Sequence, residues 1–137
     1  MPDGFEFSAD SGRMDPGQVH RWLSLEAYWA LNRTAEAQKA AMDGSRNYGV
    51  FRDDGEQVAC ARAVTDAVTF AWICDVFVDK SVRGKGIGKA LVGLVCAELE
   101  SLGITRTILA TEDAQDLYRR FGFSTFASTD NWMLKLS

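Results

Sequence analysis

The stretch that decides the fold is Val78-Asp79-Lys80-Ser81-Val82-Arg83-Gly84-Lys85-Gly86-Ile87-Gly88-Lys89. The apolar residues before it follow one another as in a buried strand, whereas those after it, such as Leu91 and Val95, recur at helical spacing. Its three glycines stand at alternate positions, where they allow positive φ and a close approach of a ligand to the backbone. The stretch therefore predicts a strand-to-helix connection that binds a ligand.

Positive charge is concentrated in this connection, although the whole chain has a formal net charge of −4. The start of a helix adds unpaired N–H groups and the positive end of the helix dipole. Both features indicate a phosphate or pyrophosphate site, and the alternative is a glycine-softened turn with solvated lysines. The only acid is Asp79, and the basic residues are Lys80, Arg83, Lys85 and Lys89.

Two common phosphate loops do not match. A Walker loop needs a glycine five residues before Gly88, where Arg83 stands, and Ser or Thr after Lys89, where Ala90 stands. A dinucleotide-binding fingerprint needs the pattern GxGxxG, and this sequence lacks the third glycine. The pattern Arg83-x-x-Gly86-x-Gly88 instead resembles the coenzyme A pyrophosphate loop of the GNAT superfamily of N-acetyltransferases.

A second motif adds to this resemblance. The segment Ala114-x-x-Leu117-Tyr118-Arg119-Arg120-Phe121-Gly122-Phe123 is similar to the helix of that family that ends in an aromatic–Gly–aromatic step. The resemblance covers most of the chain and points to a small, single-domain, bacterial-type member. It implies an α/β (mixed α+β) GNAT-like acyl-CoA N-acyltransferase fold, with a central mixed sheet flanked by helices, and acetyl-CoA as co-substrate.

Composition agrees with one globular domain over residues 1–137, since 47% of the residues are hydrophobic and 25% are charged. The acidic balance argues against a nucleic-acid partner. Three cysteines and one histidine without ligand spacing predict no metal site. With neither a signal peptide nor an apolar run that could span a bilayer, we expect a cytoplasmic protein without a membrane partner.

Periodicity and turn residues predict the order β-α-α-β-β-β-α-β-α-β-β. The predicted strands are Phe5–Ser8, Tyr48–Arg52, Gln57–Val64, Val68–Val78, Thr107–Ala110, Phe123–Ala127 and Trp132–Leu136. The predicted helices run from Asp15-Pro16 to Ala30, from Thr34 to Met42, from Gly88 to Leu102 and from Glu112 to Phe121.

The resemblance assigns the cofactor residues. It implies that the backbone of Val76, Phe77 and Val78 would pair with the pantetheine arm and polarise the thioester carbonyl. The pyrophosphate is expected on the loop, whose residues are Arg83, Gly84, Lys85, Gly86, Ile87, Gly88 and Lys89.

Tyr118 and Asp75 are the catalytic candidates. A phenol with a pKa near 10 is protonated at neutral pH, so Tyr118 can donate to the departing thiolate. Asp75 interrupts an apolar strand, and a buried carboxylate is costly unless it is paired or catalytic. It is a candidate base, and the alternatives are a solvent-facing residue at a sheet edge or a partner for a nearby arginine.

The acceptor wall is predicted at Tyr28, Trp29 and Trp72, on the expectation that it holds a small-molecule or peptide amine. None of the cysteines is placed for an acyl-enzyme, which favours direct attack in a ternary complex. The alternative functions are a non-catalytic acyl-CoA-binding sensor and an interaction module. An open sheet edge and the habit of the family make a homodimer a further expectation.

Overall fold

A five-stranded sheet forms the centre of the molecule, with helices packed on both faces. The computed structural model describes all 137 residues. The strands lie in sequence order, the first four antiparallel and the last parallel to its neighbour. They are β1 (Phe5–Ser8), β2 (Arg46–Arg52), β3 (Gln57–Thr65), β4 (Ala71–Val78) and β5 (Thr107–Ile108). The helices are α1 (Pro16–Glu26), α2 (Ala35–Asp43), α3 (Ile87–Ser101) and α4 (Gln115–Arg119).

Side-chain caps fix the starts of the first two helices where the sequence predicts them. An Asp15 carboxylate oxygen accepts from the Gln18 N–H at 3.0 Å, and the Thr34 hydroxyl accepts from the Ala37 N–H at 3.1 Å. The predicted end of α1 at Ala30 is wrong, because the backbone leaves the helix after Glu26. Residues 28–32 form turns instead, and Tyr28, Trp29 and Arg33 of this connection line a cavity.

Two apolar clusters hold the layers together. On one face, α3 buries Leu91, Val95 and Leu99 against the strands. On the other face, α1 buries Trp22 and Leu23. Each fully buried aliphatic side chain is worth about 1.5–3 kcal/mol relative to exposure, so these clusters account for the sheet-and-helix layering.

A β-bulge interrupts β4 at Asp75. β4 has one residue more than β3 between two consecutive pairs, which are Arg62 with Cys74 and Cys60 with Phe77. Asp75 takes up the difference with φ 53, a left-handed conformation that costs about 1–2 kcal/mol in a non-glycine residue. Residues four positions apart in a regular strand face the same side of the sheet. Because of the bulge, Ile73 packs in the α3 cluster and Phe77 packs in the α1 cluster on the other face.

The two predicted C-terminal strands are wrong. Neither Phe123–Ala127 nor Trp132–Leu136 joins the sheet, and the one backbone hydrogen bond donated beyond Phe123 runs from the Trp132 N–H to the Thr129 carbonyl. The segment packs instead through the rings of Phe126 and Trp132, whose centroids lie 4.4 Å apart. Apolar and polar residues alternate in this segment, but its apolar side chains cover no apolar face of this chain. The side chains after Trp132 therefore stay exposed.

None of the helices combines the length and the apolar composition needed to cross a membrane.

Candidate active site

The loop between β4 and α3 presents a run of unpaired backbone donors. No N–H group from Arg83 to Lys89 has an acceptor within the chain, and the first bond of α3 is donated by Ala90 to the Gly86 carbonyl. Gly86 is the N-cap of this helix and offers no side-chain cap. Unpaired amides at the N-terminus of a 15-residue helix suit an anionic ligand, and the sequence predicts a pyrophosphate at this loop.

Two glycines of the loop have the backbone conformation that the amides need. Gly84 has φ 80 and Gly86 has φ 82, and a Cβ at either would meet no atom within 4 Å. Glycine is therefore favoured at these positions by the positive φ and not by a lack of space for a side chain. Gly88 is different, since a Cβ there would lie 3.4 Å from Val78 Cγ2.

Arg83 ties the loop to the end of β4. Its Nε donates to the Val78 carbonyl at 2.9 Å, and its guanidinium lies over the Phe77 ring at 5.2 Å. Lys85 also lies over a ring, with Nζ 5.9 Å from the Phe5 centroid. The terminal nitrogens of Arg83 have no partner in the chain, so this residue both orders the loop and presents positive charge.

β4 and β5 separate after two pairs, so one edge of β4 is open. β5 pairs only with Ala71 and Trp72, and β4 continues to Val78 with no strand on that side. Unpaired edge groups on a strand can bind an extended chain by adding a strand-like partner. The open edge includes Val76 and runs to the start of the glycine loop.

A cavity of about 560 Å³ lies against this open edge. Its walls come from the connection between α1 and α2, from β3 and β4, and from the chain between β5 and α4. The predicted acceptor residues and both catalytic candidates meet here: Tyr28, Trp29, Trp72, Asp75 and Tyr118. The structure therefore brings together residues that are up to 90 positions apart, from Tyr28 to Tyr118.

Tyr118 is fixed on α4 by the end of that helix. Gly122 has φ 89, and the N–H groups of Gly122 and Phe123 bond back to the carbonyls of Arg119 and Tyr118. The Phe123 ring then packs edge-on against the Tyr118 ring at 5.8 Å. Burial raises the pKa of the Tyr118 phenol to about 12, and the charge of Asp113 adds to this rise. The hydroxyl therefore keeps its proton at neutral pH.

Asp75 is enclosed by donors. Its Oδ2 accepts from Arg33 Nη1 at 2.8 Å and from Arg62 Nε at 2.9 Å, and its Oδ1 accepts from Trp29 Nε1 at 2.9 Å. Burial raises the pKa of this carboxyl, but the hydrogen bond from Arg33 and the charges of both arginines outweigh burial and hold the pKa below its ordinary value. Of the sequence alternatives, the solvent-facing residue is wrong, because the side chain is 3% exposed, and the arginine partner is observed. The base role stays a prediction.

The aromatic wall is held from two directions. Trp29 is bound by Asp75, and the Tyr28 hydroxyl accepts from the Glu112 N–H at 3.1 Å on the opposite side of the cavity. The two rings contact each other edge to face, with centroids 5.0 Å apart. Trp72 adds a third ring, which is 46% exposed. All three rings are accessible, and hydrogen bonds hold those of Tyr28 and Trp29 in place.

Sequence reasoning missed three residues of the site. Arg33 and Arg62 reach Asp75 from positions 42 and 13 residues away, and no spacing rule connects them. Cys74 also lines the cavity, although nothing in the sequence predicted a cysteine there. The lone acid in an apolar strand was the available signal for the arginines. No group of three or more His, Cys, Asp or Glu residues is placed to hold a metal.

Comparisons with known proteins agree with this geometry. The family model described as "Acetyltransferase (GNAT) family" matches residues 17–123. Serotonin N-acetyltransferase 2 of Oryza sativa subsp. japonica, a chloroplastic protein, is 37% identical over 128 residues, which are 88% of this chain and 62% of the rice protein. The chain thus spans less than two thirds of that relative.

Solved structures show the same fold. A crystal structure from Xanthomonas campestris pv. campestris, described as belonging to the GNAT family, matches with a TM-score of 0.92 at 39% identity, over 100% of this chain and 95% of that chain. Glucosamine-6-phosphate N-acetyltransferase from Arabidopsis thaliana matches with a TM-score of 0.65 at 19% identity, over 97% of this chain and 96% of that chain. At the latter identity the likeness concerns the fold alone.

Proposed function

Since the chain belongs to the GNAT acetyltransferase family, we propose that it transfers the acetyl group of acetyl-CoA to a primary amine by direct attack within a ternary complex. The observation that carries this proposal is the open edge of β4, which links the aromatic cavity to the unpaired amides of the glycine loop. A long thioester ligand needs such a continuous path between a reaction site and a phosphate site.

The residues present fit acetyl-CoA. Bound there, acetyl-CoA would supply an activated acetyl thioester. The amides from Arg83 to Lys89 and the charges of Arg83, Lys85 and Lys89 would hold its pyrophosphate. The edge of β4 at Val76, Phe77 and Val78 would bind the pantetheine arm as an added strand and polarise the carbonyl.

Tyr118 would act as the general acid for the leaving thiolate. A phenol with a pKa of about 12 is a weak acid beside a solvated thiol of about 8.5. Cys74 lines the same cavity, however, and burial raises the pKa of that thiol from 9.0 to about 11. The same burial would raise the pKa of a thiol leaving in this cavity and bring it closer to the pKa of the phenol. Tyr118 would give its proton to the thiolate and then recover a proton from the attacking nitrogen.

Cys74 itself does not suggest an acyl-enzyme. With a pKa of about 11, only about one in ten thousand Cys74 side chains would be thiolate at pH 7. Direct attack by the amine therefore remains the favoured route.

The acceptor is proposed to be a primary amine attached to an aromatic ring by an alkyl chain. Three exposed rings line the cavity, namely Tyr28, Trp29 and Trp72. Glu112 and Asp113 at the same cavity supply negative charge for an ammonium group. The rice relative is named for serotonin, which is such an amine.

An amine panel tests this function. Coenzyme A release is followed with tryptamine, serotonin, spermidine, glucosamine 6-phosphate and a peptide with a free N-terminus. The proposal expects turnover with the first two and little with the others. Protection by coenzyme A against heat without release on any amine would favour the sensor, and absence of both would favour the interaction module.

We also propose that two copies pair through their C-terminal segments. Trp132–Leu136 has unpaired backbone groups and strongly exposed side chains, with Met133, Leu134 and Leu136 exposed by 97%, 83% and 84%. The outer edge of β5 is also unpaired. A strand from a second copy would satisfy both.

A further inference from the structure

The buried cluster around Asp75 connects the acceptor wall to the sheet. Arg33 comes from the connection between α1 and α2, Arg62 comes from β3, and Asp75 stands at the bulge of β4. Arg33 also donates to Gln38 of α2 at 2.9 Å. One carboxylate therefore fixes three parts of the chain that are separate in sequence.

The same carboxylate orients a ring of the acceptor wall. Trp29 Nε1 donates to Asp75 Oδ1, while the rest of the ring is accessible from the cavity, with the residue 43% exposed. Without this acceptor the indole would lose its hydrogen bond and keep the edge of Tyr28 as its aromatic contact, which leaves it freer to rotate about its side-chain bonds. The orientation of Trp29 thus depends on Asp75.

The bulge depends on the cluster as well. Asp75 is held at φ 53 by donors from both sides, and its carbonyl accepts from the Cys60 thiol at 3.4 Å. Three of the lone-pair sites of the carboxylate are occupied by hydrogen bonds. The fourth site, on Oδ1, is free, but two arginines hold the pKa of this buried carboxyl below its ordinary value, which makes it a weak base for an ammonium.

We propose that Asp75 is a positioning residue for acetyl transfer, holding Trp29 of the acceptor wall and the β4 bulge in the arrangement that binds the amine. The inference rests on the proposed function. It assigns Asp75 to orientation of the acceptor rather than to proton transfer.

The experiment compares Asp75→Asn and Trp29→Phe with the parent, using tryptamine as acceptor. Both substitutions weaken or remove the contact between the two side chains, the first from the carboxylate and the second from the indole. We expect each to raise the KM for tryptamine about tenfold or more, with kcat within about threefold and the Kd of acetyl-CoA unchanged. Trp29→Phe leaves both arginine pairs intact, so it tests the contact even if Asp75→Asn folds poorly.

Glu98→Gln is the matched control. Glu98 is a partly buried carboxylate that, like Asp75, is held by an arginine and an aromatic donor, here Arg46 and the Tyr48 hydroxyl, but it does not line the cavity. This variant should lower the melting temperature without changing the KM for tryptamine. A KM that rises as much in Glu98→Gln would mean that lost stability alone explains the effect, which overturns the proposal.

A base role gives the opposite kinetic pattern. If Asp75→Asn lowers kcat a hundredfold or more at unchanged KM and removes the acidic limb of the pH profile, Asp75 is the base and the proposal is wrong. The titratable and charged groups that face it are Arg33, Arg62, Cys60 and Cys74. Removing the Asp75 charge would lower the pKa of both thiols, which acts on the basic side of the profile and not on its acidic limb.

Indole N–H exchange measured by NMR gives a result that does not need activity. The Trp29 signal, assigned by its loss in Trp29→Phe, should exchange slowly in the parent and quickly in Asp75→Asn. If the parent turns over no tryptamine, the proposed function fails for this amine while the exchange measurement still decides the positioning role. Equal exchange in both proteins would overturn the inference.

Discussion

Tyr118 combines a protonated hydroxyl with a ring that cannot move far. Burial raises the pKa of its phenol to about 12, and the turn at Gly122 and the Phe123 ring hold it in the cavity wall. Both properties suit a residue that donates a proton once in each cycle. The sequence motif predicts the position, but only the fold shows that Tyr118 shares a cavity with β4.

Removing only this hydroxyl should separate chemistry from folding. Tyr118→Phe keeps the ring and its packing, so the melting temperature and the affinity for acetyl-CoA should change little. Turnover should fall by about a hundredfold to ten-thousandfold, the usual contribution of a general acid. Steady-state kinetics and calorimetry check both quantities. Unchanged turnover would exclude Tyr118 from the mechanism.

Asp75 should make the free energy of unfolding depend on pH in the acidic range. Its folded-state pKa lies below the ordinary 3.8, because the arginines favour the carboxylate. The stabilisation is therefore fully present above about pH 5 and is lost as the pH falls through 3.8 towards the lowered pKa. The urea midpoint of the parent should exceed that of Asp75→Asn most near neutral pH, and the difference should narrow as the pH falls below 3.8. A constant difference at all pH values would contradict this.

At the scale of elements, local signals predict the structure well where a helix start or a turn is determined by its neighbours. The caps at Asp15 and Thr34 and the loop before α3 are examples. Long-range pairing is what sequence reasoning missed. The contacts of Arg33 and Arg62 with Asp75 cross the fold, and the predicted C-terminal strands do not pair with the free outer edge of β5.

The glycine loop gives a prediction with a matched control. Gly86→Val puts a β-branched residue at φ 82 and a side chain beside the unpaired amides, so it should abolish the stabilisation by coenzyme A, which is about 2.7 kcal/mol at a hundred times the Kd. Gly55→Val introduces the same strain at φ 90 in the turn between β2 and β3, where a Cβ also meets open space. It should lower the melting temperature of the free protein and leave the coenzyme A shift intact. Full binding by Gly86→Val would refute the loop assignment.

At the scale of the whole molecule, the fold predicted from the resemblance is confirmed by the family match and by the Xanthomonas structure. The exposed C-terminal segment gives the prediction at this scale. Light scattering should report a dimer, and Leu134→Lys should shift it to the monomer by placing charge in the paired segment. Leu25→Lys, at a residue 74% exposed on α1, is the control and should leave the mass unchanged. A monomeric parent would contradict the pairing.

The most direct test of the central claim is to identify the product. The protein is mixed with acetyl-CoA and tryptamine, and the amine, the released coenzyme A and the protein are followed together by mass spectrometry. The account predicts N-acetyltryptamine and coenzyme A in equal amounts, with no acetyl group on the protein when the amine is omitted. Acetylated protein formed without the amine, or bound acetyl-CoA with no product from any primary amine, would contradict direct transfer.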